Sequence, residues 1–216
     1  MLRDLSLERS LCNHFIAELR DVNVQQDAMR FRRNLERVGE VMAYEISKHM
    51  EYHTVSVDTP LGVAHPMLMK TQPVIVSVLR AGLTMHHGFL SYFDKAENAF
   101  ISAYRKPHGH GEEIEVEVEY LACPDLDGKE LILCDPMLAT GTSLLLAYDA
   151  LLEKGTPARV HVACAIASAV GIRTIQKHFP EGTTILCGAI DPDLNDMSYI
   201  VPGLGDAGDL AYGKKS

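Results

Sequence analysis

The stretch Leu131-Ile132-Leu133-Cys134-Asp135-Pro136-Met137-Leu138-Ala139-Thr140-Gly141-Thr142-Ser143 decides how this chain is read. Leu131 to Leu133 form the continuous apolar run expected of a parallel strand covered on both faces, and Ser143-Leu144-Leu145-Leu146-Ala147-Tyr148 resumes with helical spacing. The residues between them form a loop at a strand's carboxyl end. Ala139, Thr140, Gly141, Thr142 and Ser143 carry little bulk, so backbone N–H groups and hydroxyls can converge on an anion at the positive end of the helix. Asp135, just before them, is placed to accept from two adjacent hydroxyl groups. Together they describe a cradle for a ribose 5-phosphate. A nucleotide-hydrolase P-loop needs a lysine after its second glycine and a dinucleotide fingerprint needs three spaced glycines; the stretch has neither. Taken alone, it leaves a plainer reading open: a strand-to-helix turn capped by Thr or Ser.

The whole chain narrows the choice. At 216 residues, 47% hydrophobic and 23% charged, residues 1–216 suit one domain with a substantial core. A formal net charge of −9 argues against a general nucleic-acid or anionic-membrane surface, so substrate phosphates must be met by a local pocket. Cys12, Cys123, Cys134, Cys164 and Cys187 are scattered without metal-ligand spacing and read as reduced core thiols. The amino terminus shows no apolar core with a cleavage site and no run reaches membrane-spanning length, which makes the cytoplasm the expected location and no membrane the expected partner.

Outward from the decisive stretch, strands alternate with helices. Pro73 to Leu79 reads as a buried strand broken by Arg80-Ala81-Gly82 before a helix, and further strands are expected at Ala99–Ala103, Ile114–Leu121, Val160–Ile166 and Thr184–Ala189. Helices are expected at Ser143–Lys154 and Val170–His178. This alternation predicts a mainly parallel sheet with helices on both faces and ligands beyond the strands' carboxyl ends. Upstream, about Gln25 to Met50 reads as one long helix with Phe31, Leu35, Val38, Met42, Ile46 and His49 on one stripe, either packed in the core or forming a subunit interface. Asp58-Thr59-Pro60-Leu61-Gly62 marks a turn or hairpin. Lys106 to Glu113 is polar and glycine-rich and leads into the alternating Ile114–Tyr120, a hairpin arm that either closes over a substrate or stands solvated. Its His108 and His110 lack the cysteine or carboxylate companions of a metal site.

Two more segments complete a pattern: Leu79-Arg80-Ala81-Gly82-Leu83, and the tail from Asp191-Pro192-Asp193 through Tyr199-Ile200-Val201-Pro202-Gly203-Leu204-Gly205-Asp206-Ala207-Gly208-Asp209. With the Asp135–Ser143 loop, and in the same order, they resemble the uracil phosphoribosyltransferases, whose loop reads Asp-Pro-Met-Leu-Ala-Thr-Gly-Gly-Ser and whose tail reads Tyr-Ile-Val-Pro-Gly-Leu-Gly-Asp-Ala-Gly-Asp. The resemblance implies a type I phosphoribosyltransferase-like α/β fold: a mainly parallel sheet flanked by helices, an amino-terminal helical segment (about 1–50), a β-hairpin arm (about 104–121) and a carboxyl-terminal uracil-binding segment (about 190–216). It implies that Arg80 and Arg105 meet the pyrophosphate of phosphoribosyl pyrophosphate (PRPP). Asp135, Pro136, Met137, Leu138, Ala139, Thr140, Gly141, Thr142 and Ser143 would hold its ribose 5-phosphate, while Ile200, Gly205, Asp206 and Ala207 would hold uracil. Asp206, at the junction of base and sugar, is also the candidate for assisting removal of the N1 proton. Mg²⁺ would arrive with PRPP, without a metal site of the chain's own, and a homodimer or higher homo-oligomer is implied.

The tail also makes sense residue by residue. Pro202-Gly203 and Gly205 force tight turns that expose backbone groups, and a fixed pattern of main-chain N–H and C=O groups can match uracil's edge. Cytosine inverts that edge, and a polar site of this kind can discriminate by roughly 10⁴. The sequence departs from the family at Thr142, where a second glycine is usual, at Leu210, where a basic residue is common, and in the Lys106-Pro107-His108-Gly109-His110 arm. The rival readings are a transferase for another base, which the tail disfavours, and a regulator that senses PRPP or uridine nucleotides with little catalysis.

Overall fold

A computed structural model describes residues 1–105 and 116–214. The apolar run at Leu131–Leu133 becomes the strand Glu130–Cys134, every residue of which is buried. It lies inside an eight-stranded sheet. Seven strands follow the order Leu2–Asp4, Thr184–Asp191, Arg159–Ser168, Glu130–Cys134, Val74–Leu79, Glu97–Arg105 and Val116–Ala122, and the short Met137–Leu138 pairs with Arg159–Ser168 off this path. All pairings are parallel except the last, Glu97–Arg105 with Val116–Ala122, which is antiparallel.

Continuous apolar runs are needed because both faces are covered. Ile75, Ile132 and Cys134 point into one core, packed by α1 (Cys12–Arg20), α2 (Ala28–Ser47) and α3 (Gly82–Leu90). Val74, Val76, Val78, Leu131 and Leu133 point into the other, under α4 (Thr142–Leu151) and α5 (Ala169–His178). The short α6 (Ala207–Tyr212) returns the carboxyl end to the first core through Ala207 and Ala211.

The long amino-terminal helix begins at Ala28 rather than Gln25. Asp27 explains the start: its carboxylate accepts from the N–H groups of Met29 and Arg30, a cap worth about 1 kcal/mol. Phe31, Leu35, Val38, Met42 and Ile46 are fully buried against this chain's own core. His49 is a correction: it lies beyond the helix end at Ser47 and is exposed, because the stripe ends with the helical period. The expected hairpin forms between Val57–Thr59 and Gly62–Ala64, and every residue from Ser56 to His65 is exposed. The arm's two strands pair as expected, whereas its tip, including His108 and His110, lies outside the described residues.

The elements not expected from the sequence include the edge strand Leu2–Asp4, α1, α6 and the short strands Tyr52–Thr54, Met67–Met69, Met137–Leu138, Asp193–Leu194 and Ile200–Val201. Cys12, Cys134, Cys164 and Cys187 are buried free thiols and Cys123 is half-buried. Among the described residues no helix is long and apolar enough to cross a membrane.

Candidate active site

The parallel strands end on one side of the sheet, which gathers Arg80, Asp135, Ser168 and Asp191 there, each at or just past a strand's carboxyl end. An open pocket at this edge is lined by Asp135, Met137, Leu138, Ala139, Thr140, Gly141, Ser143, Leu144 and Cys164. Seven of the nine loop residues expected from sequence therefore line it. Pro136 is instead buried, its carbonyl accepting from Ile166 N–H at 2.9 Å, and Thr142 opens the helix beside the pocket.

The cap position of the turn into α4 is not held by Thr or Ser, although Thr140 Oγ1 accepts from Thr142 N–H at 3.4 Å. Gly141 occupies the cap position at φ 84°, in the left-handed region that glycine tolerates, and a Cβ there would lie 2.9 Å from Thr174 Cβ. The first N–H groups of the helix thus meet the pocket without a side chain of the cap residue across them. The next βα unit fixes the loop from behind. Ser168 Oγ donates to Ala139 O while accepting from Gly171 N–H, and Thr174 Oγ1 donates to Thr140 O at 2.8 Å. These supports were missed in the sequence, although Ser168 stands where a helix N-cap is expected.

Asp135 is half-buried, and burial pushes its carboxyl up to about 7, with only the Met137 N–H, at 3.3 Å, pulling it back. Burial also pushes the neighbouring Cys134 thiol far up, so it is an inert core group whose Sγ–H faces Val76 O. A carboxylate so poorly partnered gains most from hydroxyl donors or a cation brought by a ligand.

On the other side of the site, Arg80 reaches the tail. Its Nη2 lies 3.2 Å from Asp209 Oδ1 and its Nη1 3.3 Å from Gly213 O. Asp206 lies nearby, since a Cβ placed on Gly208 would sit 3.2 Å from Asp206 Oδ1 and 3.7 Å from Arg80 Nη2. Asp206 has a role the sequence did not reveal: its Oδ1 caps α6 by accepting from Asp209 N–H at 2.9 Å. Ile200 and Ala207 are buried in the same apolar cluster against which Met137 and Ala139 pack, while Gly205 and Asp206 are exposed. Arg105 ends the strand next to that of Arg80, its backbone paired with Val116; only its backbone is described. Among the described residues no group of three or more His, Cys, Asp or Glu side chains could hold a metal ion.

Comparison with known proteins agrees with this arrangement. The sequence model of the uracil phosphoribosyltransferase family matches residues 6–214. A uracil phosphoribosyltransferase from Porphyromonas gingivalis is 55% identical over 98% of this chain and 97% of its own length, and one from Pyrococcus furiosus is 38% identical over 92% and 84%. Among solved structures, the AQ2163 protein of Aquifex aeolicus superposes with a TM-score of 0.87 at 32% identity, covering 99% of this chain and 98% of its own. A hypoxanthine phosphoribosyltransferase from Staphylococcus aureus, 13% identical with a TM-score of 0.50 over 76% of each chain, shares the fold. From its strand-end loop to its glycine-rich tail, this chain belongs to the uracil phosphoribosyltransferase family.

Proposed function

We propose that this protein transfers the 5-phosphoribosyl group of PRPP to uracil, with the Asp135–Ser143 loop as ribose phosphate site and the tail as base site. What supports the reading is that the pocket lined by that loop opens at the strand-end edge where Asp191 begins the tail, and that Arg80, at the same edge, contacts Asp209 of the tail. In the reaction the bond from the anomeric carbon to pyrophosphate breaks with its electron pair leaving on oxygen, the bond to uracil N1 forms, and the N1 proton is lost. Products are uridine 5′-monophosphate (UMP) and pyrophosphate.

The loop holds the 5-phosphate through backbone N–H groups and the hydroxyls of Thr140 and Ser143, and Asp135 accepts from the ribose hydroxyls, fixing the sugar for in-line displacement. Arg80 and Arg105 meet the pyrophosphate and stabilise the charge that grows on it. Asp135, the one carboxylate among the pocket's lining residues, is too few for a protein cage but would face a Mg²⁺ delivered with PRPP. When bound, that ion supplies further neutralisation of the leaving group. Ile200, Gly205 and Ala207 hold uracil, and Asp206 accepts the N1 proton directly or through water.

Asn caps a helix about as well as Asp, so Asp206→Asn tests this last role without unwinding α6. Turnover should fall about 10²-fold or more with little change in either KM; unchanged turnover removes Asp206 from proton transfer. The decisive assay is UMP formation from labelled uracil and PRPP with Mg²⁺, beside cytosine and hypoxanthine. Turnover of uracil alone supports the reading, whereas PRPP binding with no base consumed would sink it. We place the enzyme in the cytoplasm as a homodimer or higher homo-oligomer, for which the exposed Ser56–His65 hairpin, with Leu61 and Val63 outward, is the supporting feature.

A further inference from the structure

We infer that Arg20 and Asp191 are positioning residues for the base, a clamp that sets the shape of the uracil-binding turn without touching uracil. The inference rests on the reading of Ile200 and Gly205–Ala207 as the base site.

Arg20 is the last residue of α1 and Asp191 the last of the strand Thr184–Asp191, where the tail begins. Their contact is bidentate: Arg20 Nη2 donates to Asp191 Oδ1 at 2.7 Å and Nη1 to Oδ2 at 2.8 Å. The guanidinium side chain is 23% exposed and the carboxylate 7%, so this pair is shielded where surface pairs are not. Both partners then grip one residue of the tail, Gly203, from its two flanking peptide groups. Arg20 Nη1 also donates to Gly203 O at 3.0 Å, and Asp191 Oδ2 accepts from Gly203 N–H at 2.8 Å. A second amino-terminal side chain continues the grip, as Gln25 Nε2 donates to Leu204 O at 3.2 Å and to Leu19 O at 2.9 Å.

Two consequences follow for the base. Gly203 N–H is taken by Asp191, and Gly203 O and Leu204 O already accept from Arg20 and Gln25, so the base is read chiefly by the groups on either side, at Ile200 and from Gly205 onward. Because the gripped residue sits between those two sets, its position fixes their separation. A planar base read by backbone groups requires that separation to hold within a few tenths of an ångström, and a mispositioned turn loses base affinity before it loses the chemistry. PRPP, held by the other loop, should not register the change.

The test compares Arg20→Ala, Arg20→Lys and Asp191→Asn in the full chain. Arg20→Lys keeps the charge without the fork; Asp191→Asn keeps an acceptor for Gly203 N–H. Should Arg20→Ala not fold, these two carry the test. KM for uracil should rise roughly 10-fold, with kcat and KM for PRPP held within about threefold. A fall in kcat with KM for uracil unchanged, or a parallel shift of both KM values, would mean a purely structural pair and overturn the clamp. Hydrogen exchange of the unmodified protein with and without UMP separates the two layers of the argument. If UMP does not slow exchange across 199–207, the base-site reading fails and the clamp with it. If UMP protects that segment while the variants keep their KM for uracil, the clamp alone fails.

Discussion

The loop at Asp135–Ser143 and the tail from Asp191 to Tyr212 both start at the carboxyl ends of parallel strands, yet they are held in shape from different parts of the chain. The loop is fixed by its own glycine and by Ser168 and Thr174, side chains of the next βα unit. The tail is fixed from the far end of the chain, by Arg20 on Asp191 and Gly203, Gln25 on Leu204, and Arg32, whose Nη1 donates to Ala211 O at 2.7 Å. A phosphate can be met by any well-placed set of N–H groups, so a local turn suffices. A base edge needs donors and acceptors in fixed order, and the tail is held by residues roughly 180 positions away, since Arg20–Gly203 spans 183 and Gln25–Leu204 179.

The largest break on the loop side is expected from Asp135→Asn. UMP formation should fall about 10²-fold or more, as for loss of a group aimed at developing charge. Stability should move the other way. In the unfolded chain this carboxyl releases its proton in the ordinary carboxylate range, whereas the folded protein holds it up to about 7. Between those values the native state binds the extra proton, so the ligand-free protein loses stability as pH rises through that window. Each pH unit is worth at most about 1.4 kcal/mol, and half-burial discounts the total to about 2 kcal/mol. Denaturant titrations should therefore find the Asn variant about 2 kcal/mol more stable at pH 8 and nearly equal to the parent at pH 4. An equal difference at both pH values would show that the carboxyl does not titrate as described.

A paired substitution sharpens the contrast between the two sides. Gly141 and Gly203 both have left-handed backbones, at φ 84° and φ 56°. A Cβ on Gly141 meets Thr174 Cβ at 2.9 Å, whereas one on Gly203 meets the backbone at the much closer 2.1 Å of Ile200 O. Gly203→Ala should cost about 3 kcal/mol and raise KM for uracil 10-fold or more, and Gly141→Ala about 1–2 kcal/mol with its effect on KM for PRPP. If both variants raised the same KM, the division into a phosphate side and a base side would be wrong.

The same contrast explains what could be read in advance. The loop is contiguous, so its strand, turn and helix follow from apolar runs and small residues, and seven of its nine residues line one pocket. The sheet was legible because buried parallel strands announce themselves, as Val74–Leu79 and Glu130–Cys134 do. The tail's letters could be recognised but not its clamp: nothing at Arg20, the basic end of a nine-residue helix, marks it as the partner of Asp191. Asp206 was named from its place in the tail, but its cap on α6 was not legible, because nothing in the sequence marked Ala207–Tyr212 as a helix. His49 failed on period alone, the stripe outrunning the helix by a few residues.

A smaller effect is expected where the loop is supported from behind. Thr174→Val removes the hydroxyl that donates to Thr140 O while keeping the side chain's bulk. One neutral hydrogen bond is worth about 1 kcal/mol, which corresponds to roughly a fivefold rise in KM for PRPP with KM for uracil unchanged. A change in uracil kinetics instead would mean that the next βα unit supports both sides.

The smallest effect should come where the two sides meet, at Arg80 and Asp209. Their side chains are 37% and 35% exposed and 3.2 Å apart, so solvent screens the pair and Asp209→Asn should change stability by less than about 0.5 kcal/mol. Its kinetic effect has a definite sign. In the ligand-free protein Arg80 is occupied by the tail, through Asp209 and Gly213 O, and must turn from them to meet pyrophosphate. Removing the Asp209 charge should lower KM for PRPP by about twofold, and the difference should shrink as salt is raised. A higher KM for PRPP would reverse the assignment: Asp209 would then be holding Arg80 ready for the diphosphate, and the tail would serve the phosphate side as well as the base.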